Sequence, residues 1–217
     1  MNIPFTTGQF LAIFQSYNQA IWPMQVTAYI LGMAAIYLAV RKSRNSDKII
    51  CGILAIMWIW TGAAYHISFF SSINKAAYAF GALFIMQGLL FTIYGVIKSG
   101  ISFKVAPSGI AAAGCILTVY SMVVYPVIGQ LLGHGYPQSP VFGVTPCPVT
   151  IFTFGLLLWA EKMPRRILLI PLFWSLIGSF AAFSLGIRED IGLLAAGMAG
   201  TLLILIKNRQ FLIRKHA

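Results

Sequence analysis

Acidic residues are nearly missing from this chain. Only four Asp and Glu stand against 15 Lys and Arg in 217 residues, and charged residues of either sign make up just 9%. That scarcity excludes a soluble domain of this length, whose surface needs far more charge. Cysteine is sparse as well: Cys51, Cys115 and Cys147 are an odd number on separate segments, which argues against a disulfide framework. No Cys-x-x-Cys or His-x-x-x-His spacing occurs, so no metal site is written into close-spaced ligands, and no Walker-type loop is present to drive transport with ATP.

What the chain has in abundance is apolar sequence, 59% by residue with a mean hydropathy of +0.85. A hydrocarbon core about 30 Å thick takes roughly 20 apolar residues per helix, which gives room for about seven spans with short connections. The expected spans are Met24–Val40, Ile49–Phe70, Ala76–Ile97, Gly109–Leu132, Pro148–Ala160, Ile167–Ile187 and Ile191–Ile206. Ahead of them, Phe5, Phe10, Leu11, Phe14 and Tyr17 recur at helical spacing among Thr and Gln, the pattern of an amphipathic helix lying in the interface and ending at Trp22-Pro23. An irregular or re-entrant lead-in is the alternative. The opening stretch has neither the basic start nor the continuous apolar core of a signal peptide. The fold class is all-α, a polytopic membrane helix bundle, divided into an interfacial segment (1–22), the bundle (23–207) and a basic tail (208–217).

A net charge of +11 would suggest nucleic acid in a soluble protein, but here the basic residues cluster between apolar runs and read as topology signals. All of the 15 except Lys75 and Arg188 fall on one side of the expected spans. The positive-inside rule puts that side, with the C-terminus, in the cytoplasm and the N-terminus outside, as an odd number of spans also requires. Lys207, Arg209, Arg214 and Lys215 suit anionic lipid at the inner leaflet. Pro126 and Pro171 fall inside expected helices and should free backbone carbonyls there. Gln87, near the middle of its span, reads as hydrogen-bonding glue between helices, and the small face Gly192, Ala196, Gly200 as a packing surface.

The most unusual stretch is Gly133–Pro148, where turn-formers, a histidine and a cysteine separate two apolar runs. Its Thr-Pro-Cys-Pro end reads as a helix start, with Thr145 at the N-cap, Pro146 at the first position and Cys147 in the first turn, where backbone dipoles favour an anion. His66, His134, Cys147, Glu189 and Asp190 all fall at the same outer side, with Tyr65 and Tyr136 beside two of them. Together these seven are the candidate pocket residues. His66, His134 and Cys147 form the candidate ligand set for Zn²⁺ or Cu⁺. Each also has a plain structural role: a packed histidine, a small apolar cysteine, acidic residues at a helix N-terminus with Arg188 to neutralise one. Trp58, Trp60, Tyr120, Tyr125 and Trp174 either line an apolar pocket or fill the bundle.

Several chemistries are excluded. A retinal protein needs a lysine deep in its last span, whereas Lys207 sits at the end, and a four-helix b-type cytochrome needs paired buried histidines, of which only His66 is a candidate. Seven-span hydrolases related to ceramidases need several His with Asp and Ser; Tyr65-His66 echoes one piece alone. Phe142-Gly143-Val144-Thr145-Pro146-Cys147-Pro148-Val149-Thr150-Ile151-Phe152-Thr153, Tyr65-His66, Pro4-Phe5-Thr6 and Trp22-Pro23 together resemble a family of bacterial multi-pass membrane proteins that carries a domain-of-unknown-function label. The resemblance covers nearly the whole chain and implies a bacterial cytoplasmic membrane, but no activity. Three readings follow from the residues: a small transporter or sensor with an outward-facing polar pocket for a metal ion or small solute, an intramembrane enzyme with Cys147 as nucleophile and His66 or His134 as base, or a structural or assembly subunit without a ligand.

Overall fold

The computed structural model describes residues 4–207. Among these the helices are α1 (Thr7–Ala20), α2 (Met24–Val40), α3 (Ser46–Ser72), α4 (Ala77–Ile97), α5 (Gly109–Leu131), α6 (Pro146–Leu158), α7 (Arg165–Leu185) and α8 (Arg188–Lys207). The class is all-α, with one small addition: β1 (Ser102–Phe103) pairs antiparallel with β2 (Ala160–Lys162). Helices α3, α4, α5, α7 and α8 are each long and apolar enough to cross a membrane. The pair α1 and α2, bent by 86°, makes a sixth if counted as one span. The basic tail and its Arg209, Arg214, Lys215 and His216 lie outside the described residues.

Outward faces carry large apolar side chains along their length: Ile30, Met33 and Tyr37 on α2, Ile116, Val119 and Val123 on α5, Phe173, Phe180 and Phe183 on α7. Lipid solvates such a surface and water does not. The inward faces close around α6. Only Cys147 among its residues is not fully buried, and α3, α5, α7 and α8 all pack against it. A helix that is apolar all round has no face to offer water, so it must be enclosed. Its 13 residues extend only about 20 Å, well short of the hydrocarbon thickness of about 30 Å. The segment expected as a fifth span is thus a short central post. Its hydroxyls are satisfied locally, Thr150 donating to Pro146 O at 2.8 Å and Thr153 to Val149 O at 2.8 Å, while Trp58 Nε1 donates to Thr153 Oγ1 at 2.9 Å.

Two prolines free carbonyls, as the sequence leads one to expect, and other helices use them. Pro126 cannot donate to Met122 O, which instead accepts the Tyr29 hydroxyl at 2.8 Å. Pro171 leaves Ile167 O open for Gln87 Nε2 at 3.0 Å. Gln87 therefore is the interhelical glue expected of it, tying α4 to the start of α7. On α8 the small face packs closely, with Gly192 against the Tyr120 ring and Gly200 against Phe154.

One end of the bundle gathers the basic residues. Lys42 donates to Ser102 Oγ at 2.9 Å and to Phe103 O at 3.0 Å, and pairs with Asp47 at 3.3 Å; Lys104 faces Glu161 at 3.6 Å. Lys207 donates to Leu158 O at 3.0 Å and Ala160 O at 2.9 Å, capping the open carbonyls at the end of α6. The opposite end holds α1, the segment 132–145 and the start of α8.

Candidate functional site

At that opposite end the chain between α5 and α6 turns back into the bundle instead of lying over it. Ser139, Pro140 and the run Phe142–Thr145 are buried. A buried loop must bond its backbone internally, and α1 supplies the partners. Asn18 Nδ2 donates to Pro137 O at 2.7 Å and Ser139 O at 2.9 Å, and Tyr17 donates to Val144 O at 2.7 Å while accepting from Trp60 Nε1 at 2.9 Å. Gly143, at φ +76°, sits where an added Cβ would lie 2.6 Å from Ala28 Cβ, so both its conformation and its space require glycine.

Thr145 occupies the N-cap of α6 in extended conformation and Pro146 the first helical position, as the sequence implies. The threonine hydroxyl does not cap, however; it donates to Val141 O at 2.7 Å. A capping oxygen serves the N–H of the second or third helical residue, and Pro148 at the third has none. Cys147 is consequently held at the start of α6 by two prolines, half-buried.

The first residues of α8 bring two carboxyls beside it. Glu189 is fully buried, and its Oε1 lies 2.8 Å from His134 Nε2, while Tyr120 donates to its backbone O at 2.6 Å. Asp190 accepts the Tyr125 hydroxyl at 2.6 Å. The two tyrosines reach neighbouring residues because α5 widens into a π turn at Tyr120–Val124, closed by the Tyr125 N–H on Tyr120 O, which puts residues five apart on one face. Asp190 and the Trp174 indole both flank the Cys147 thiol.

Above this group lies a cavity of about 290 Å³. Asp190, Cys147, Pro146 and Pro140 line it on one side, and Trp174, Ile177, Phe180 and Ala182 of α7 on another. Tyr65, Phe70 and Phe80 close it from α3 and α4, and Phe5, Phe10 and Phe14 from α1 and the residues before it. Phe14 stacks on Tyr65 at 5.2 Å between centroids with 12° between planes, and Phe5 meets Phe70 edge-on at 5.4 Å. The helix expected to lie at the interface thus turns its aromatic stripe onto α3 and forms a wall of the cavity. Trp174, only 8% exposed, leaves its Nε1–H without an acceptor among the described residues.

Of the seven candidate pocket residues, Tyr65, Cys147 and Asp190 line this one cavity, and His134 with Glu189 forms the adjoining pair. Two are placed elsewhere. Tyr136 is exposed and borders a separate surface groove with Trp22, Tyr29 and Gln130. His66 lies behind the cavity wall, packed among Phe70, Phe80, Phe84 and Trp174 at 4.7–6.1 Å between centroids, and neither ring nitrogen has a hydrogen-bond partner among the described residues. Its expected role as metal ligand or base meets no polar group there. Among the described residues no three His, Cys, Asp or Glu side chains come together to hold a metal ion. The proposed Zn²⁺ or Cu⁺ set of His66, His134 and Cys147 is not assembled: His134 is taken by Glu189, His66 is enclosed by rings, and Cys147 faces Asp190. Arg188, expected to neutralise a neighbouring carboxyl, is exposed and makes no ion pair with either. Trp174 and Tyr125, left open between lining and filling, belong to the site.

Fold and site together define a multi-pass membrane helix bundle with an aromatic cavity over a buried carboxyl pair. The chain belongs to DUF6064, a family of unknown function, whose model matches residues 7–215. No curated protein and no solved structure matches it.

Proposed function

We propose that this protein is a small-molecule binding protein of the membrane, a sensor or carrier, and that its ligand occupies the cavity between α1, α3, α7 and α8. The observation that carries the reading is the cavity itself: about 290 Å³ walled by aromatic side chains, with Asp190, Cys147 and Trp174 at one side. An apolar pocket with a few convergent polar groups is the usual form of a ligand site. The basic end of the bundle supports a cytoplasmic placement for that end, with the cavity facing outward and α1 along the interface. Nothing in the geometry favours the Cys147 nucleophile, because neither His66 nor His134 is placed to serve it as base.

Neopentylbenzene is a compact apolar probe for such a space. In lipid nanodiscs the wild-type protein should bind tritiated neopentylbenzene saturably, after subtraction of counts retained in excess unlabelled compound. Ala182→Phe, which puts a ring into the lining, should weaken binding at least tenfold. Equal binding by the two proteins would sink the reading.

A further inference from the structure

Asp190 is 4% exposed and borders the cavity, yet no Lys, Arg or His among the described residues lies within ion-pair distance of it. Arg188, two residues away in the chain, is exposed, and the His134 beside the neighbouring Glu189 is engaged by it at 2.8 Å. Its Oδ1 accepts the Tyr125 hydroxyl at 2.6 Å, a neutral donor. A buried carboxylate is costly without a positive partner. The same cavity is lined by Phe10, Phe14, Tyr65, Phe70, Phe80 and Trp174, and aromatic faces attract cations, with quaternary ammonium groups in aromatic cages as the recurring case. Carboxylate and rings therefore ask for the same kind of group.

Resting on the cavity reading above, we propose that the ligand is a lipophilic ammonium cation, with Asp190 as its counter-ion and the aromatic walls around its alkyl or aryl groups. Trp174 Nε1–H, which beside the Cys147 thiol has no hydrogen-bond partner among the described residues, is available to an oxygen on the same molecule. The cation takes the place that Lys or Arg would fill in an ordinary buried ion pair.

Benzyltrimethylammonium and neopentylbenzene test this directly, because they share one shape and differ by the charge on a single atom. In nanodiscs of digalactosyldiacylglycerol, which carries neither net charge nor an ammonium group and so does not itself concentrate the cation, wild-type protein should bind the cation at least tenfold more tightly than the hydrocarbon. Asp190→Asn should remove most of that preference, read as the ratio of the two affinities within the same protein. Equal affinity of wild-type protein for both probes overturns the cation while the cavity reading stands. Failure of both probes to bind overturns the two together. The wild-type comparison needs no variant, so it decides even if Asp190→Asn does not fold. A lipid head group could supply the same chemistry. Replacing half the digalactosyldiacylglycerol with phosphatidylethanolamine, which adds ammonium groups without changing the net surface charge, should weaken benzyltrimethylammonium binding if the resident ammonium is lipid-borne, and leave it unchanged if it is a free solute; either result fits the proposal and names the source.

Discussion

His134→Ala tests the carboxyl pair at the start of α8. Glu189 is fully buried, its Oε2 already lacks a partner among the described residues, and its Oε1 depends on His134 Nε2 at 2.8 Å. Removing the imidazole takes away the one described partner of this buried carboxyl, and breaking a buried pair in this way costs about 3–5 kcal/mol. Glu189→Gln in the same background replaces the acid by a neutral amide, for which an unmet hydrogen bond costs about 1–3 kcal/mol. The double variant should therefore recover about 2 kcal/mol of the single variant's loss, a coupling of the size seen between touching residues. Unfolding of the purified protein in mixed micelles, followed by circular dichroism against the mole fraction of dodecyl sulfate, measures both. A His134→Ala protein as stable as wild type would refute the reasoning, as would a double variant no more stable than the single.

Gly143→Ala should destabilise by about 2 kcal/mol or more in the same assay, since a positive φ costs an L-residue about 1–2 kcal/mol before its Cβ meets Ala28; wild-type stability would show that the segment can move aside. Gln87→Leu should cost about 1 kcal/mol, and distinctly less in a Pro171→Ala background, where an N–H is restored for Ile167 O; equal cost in both would contradict the shared carbonyl. N-ethylmaleimide should label Cys147 slowly and the fully buried Cys51 only on unfolding, with neopentylbenzene slowing Cys147 alone, as read by peptide mass mapping. Protection of neither thiol would place the probe outside the cavity.

The apolar segments, Thr145-Pro146 as a helix start, and the carbonyls freed by Pro126 and Pro171 were all legible, because each is a property of the local chain. Their partners were not. Nothing in sequence spacing pairs Pro171 with Gln87 or Pro126 with Tyr29, since those contacts depend on which helices are neighbours. Shared sidedness assigned His66, His134, Cys147, Glu189 and Asp190 to one end, but it carries no side-chain direction. His66 shows the limit: it lies at the right level and points into rings, in a stretch where α3 runs as a π helix over Thr61–Phe69 and the ordinary helical repeat no longer tells which way a residue faces. The stripe Phe10, Phe14 and Tyr17 was visible as a stripe, whereas its use as a cavity wall required knowing what it faced. Pro146–Leu158 carried a signal that could have been read further: with no polar face and too few residues to span, such a helix belongs inside.

That enclosed helix also bears on how the protein is made. While the chain is emerging, α3 and α5 already exist and can receive one flank of Pro146–Leu158, but α7 and α8, which cover the other flank, have yet to be synthesised. For that interval the post has one side finished and one side bare. Helices α7 and α8 are therefore the ones that enclose the post, and the carboxyls at the start of α8 arrive only with that wall, so the site forms after the post has been made and not before.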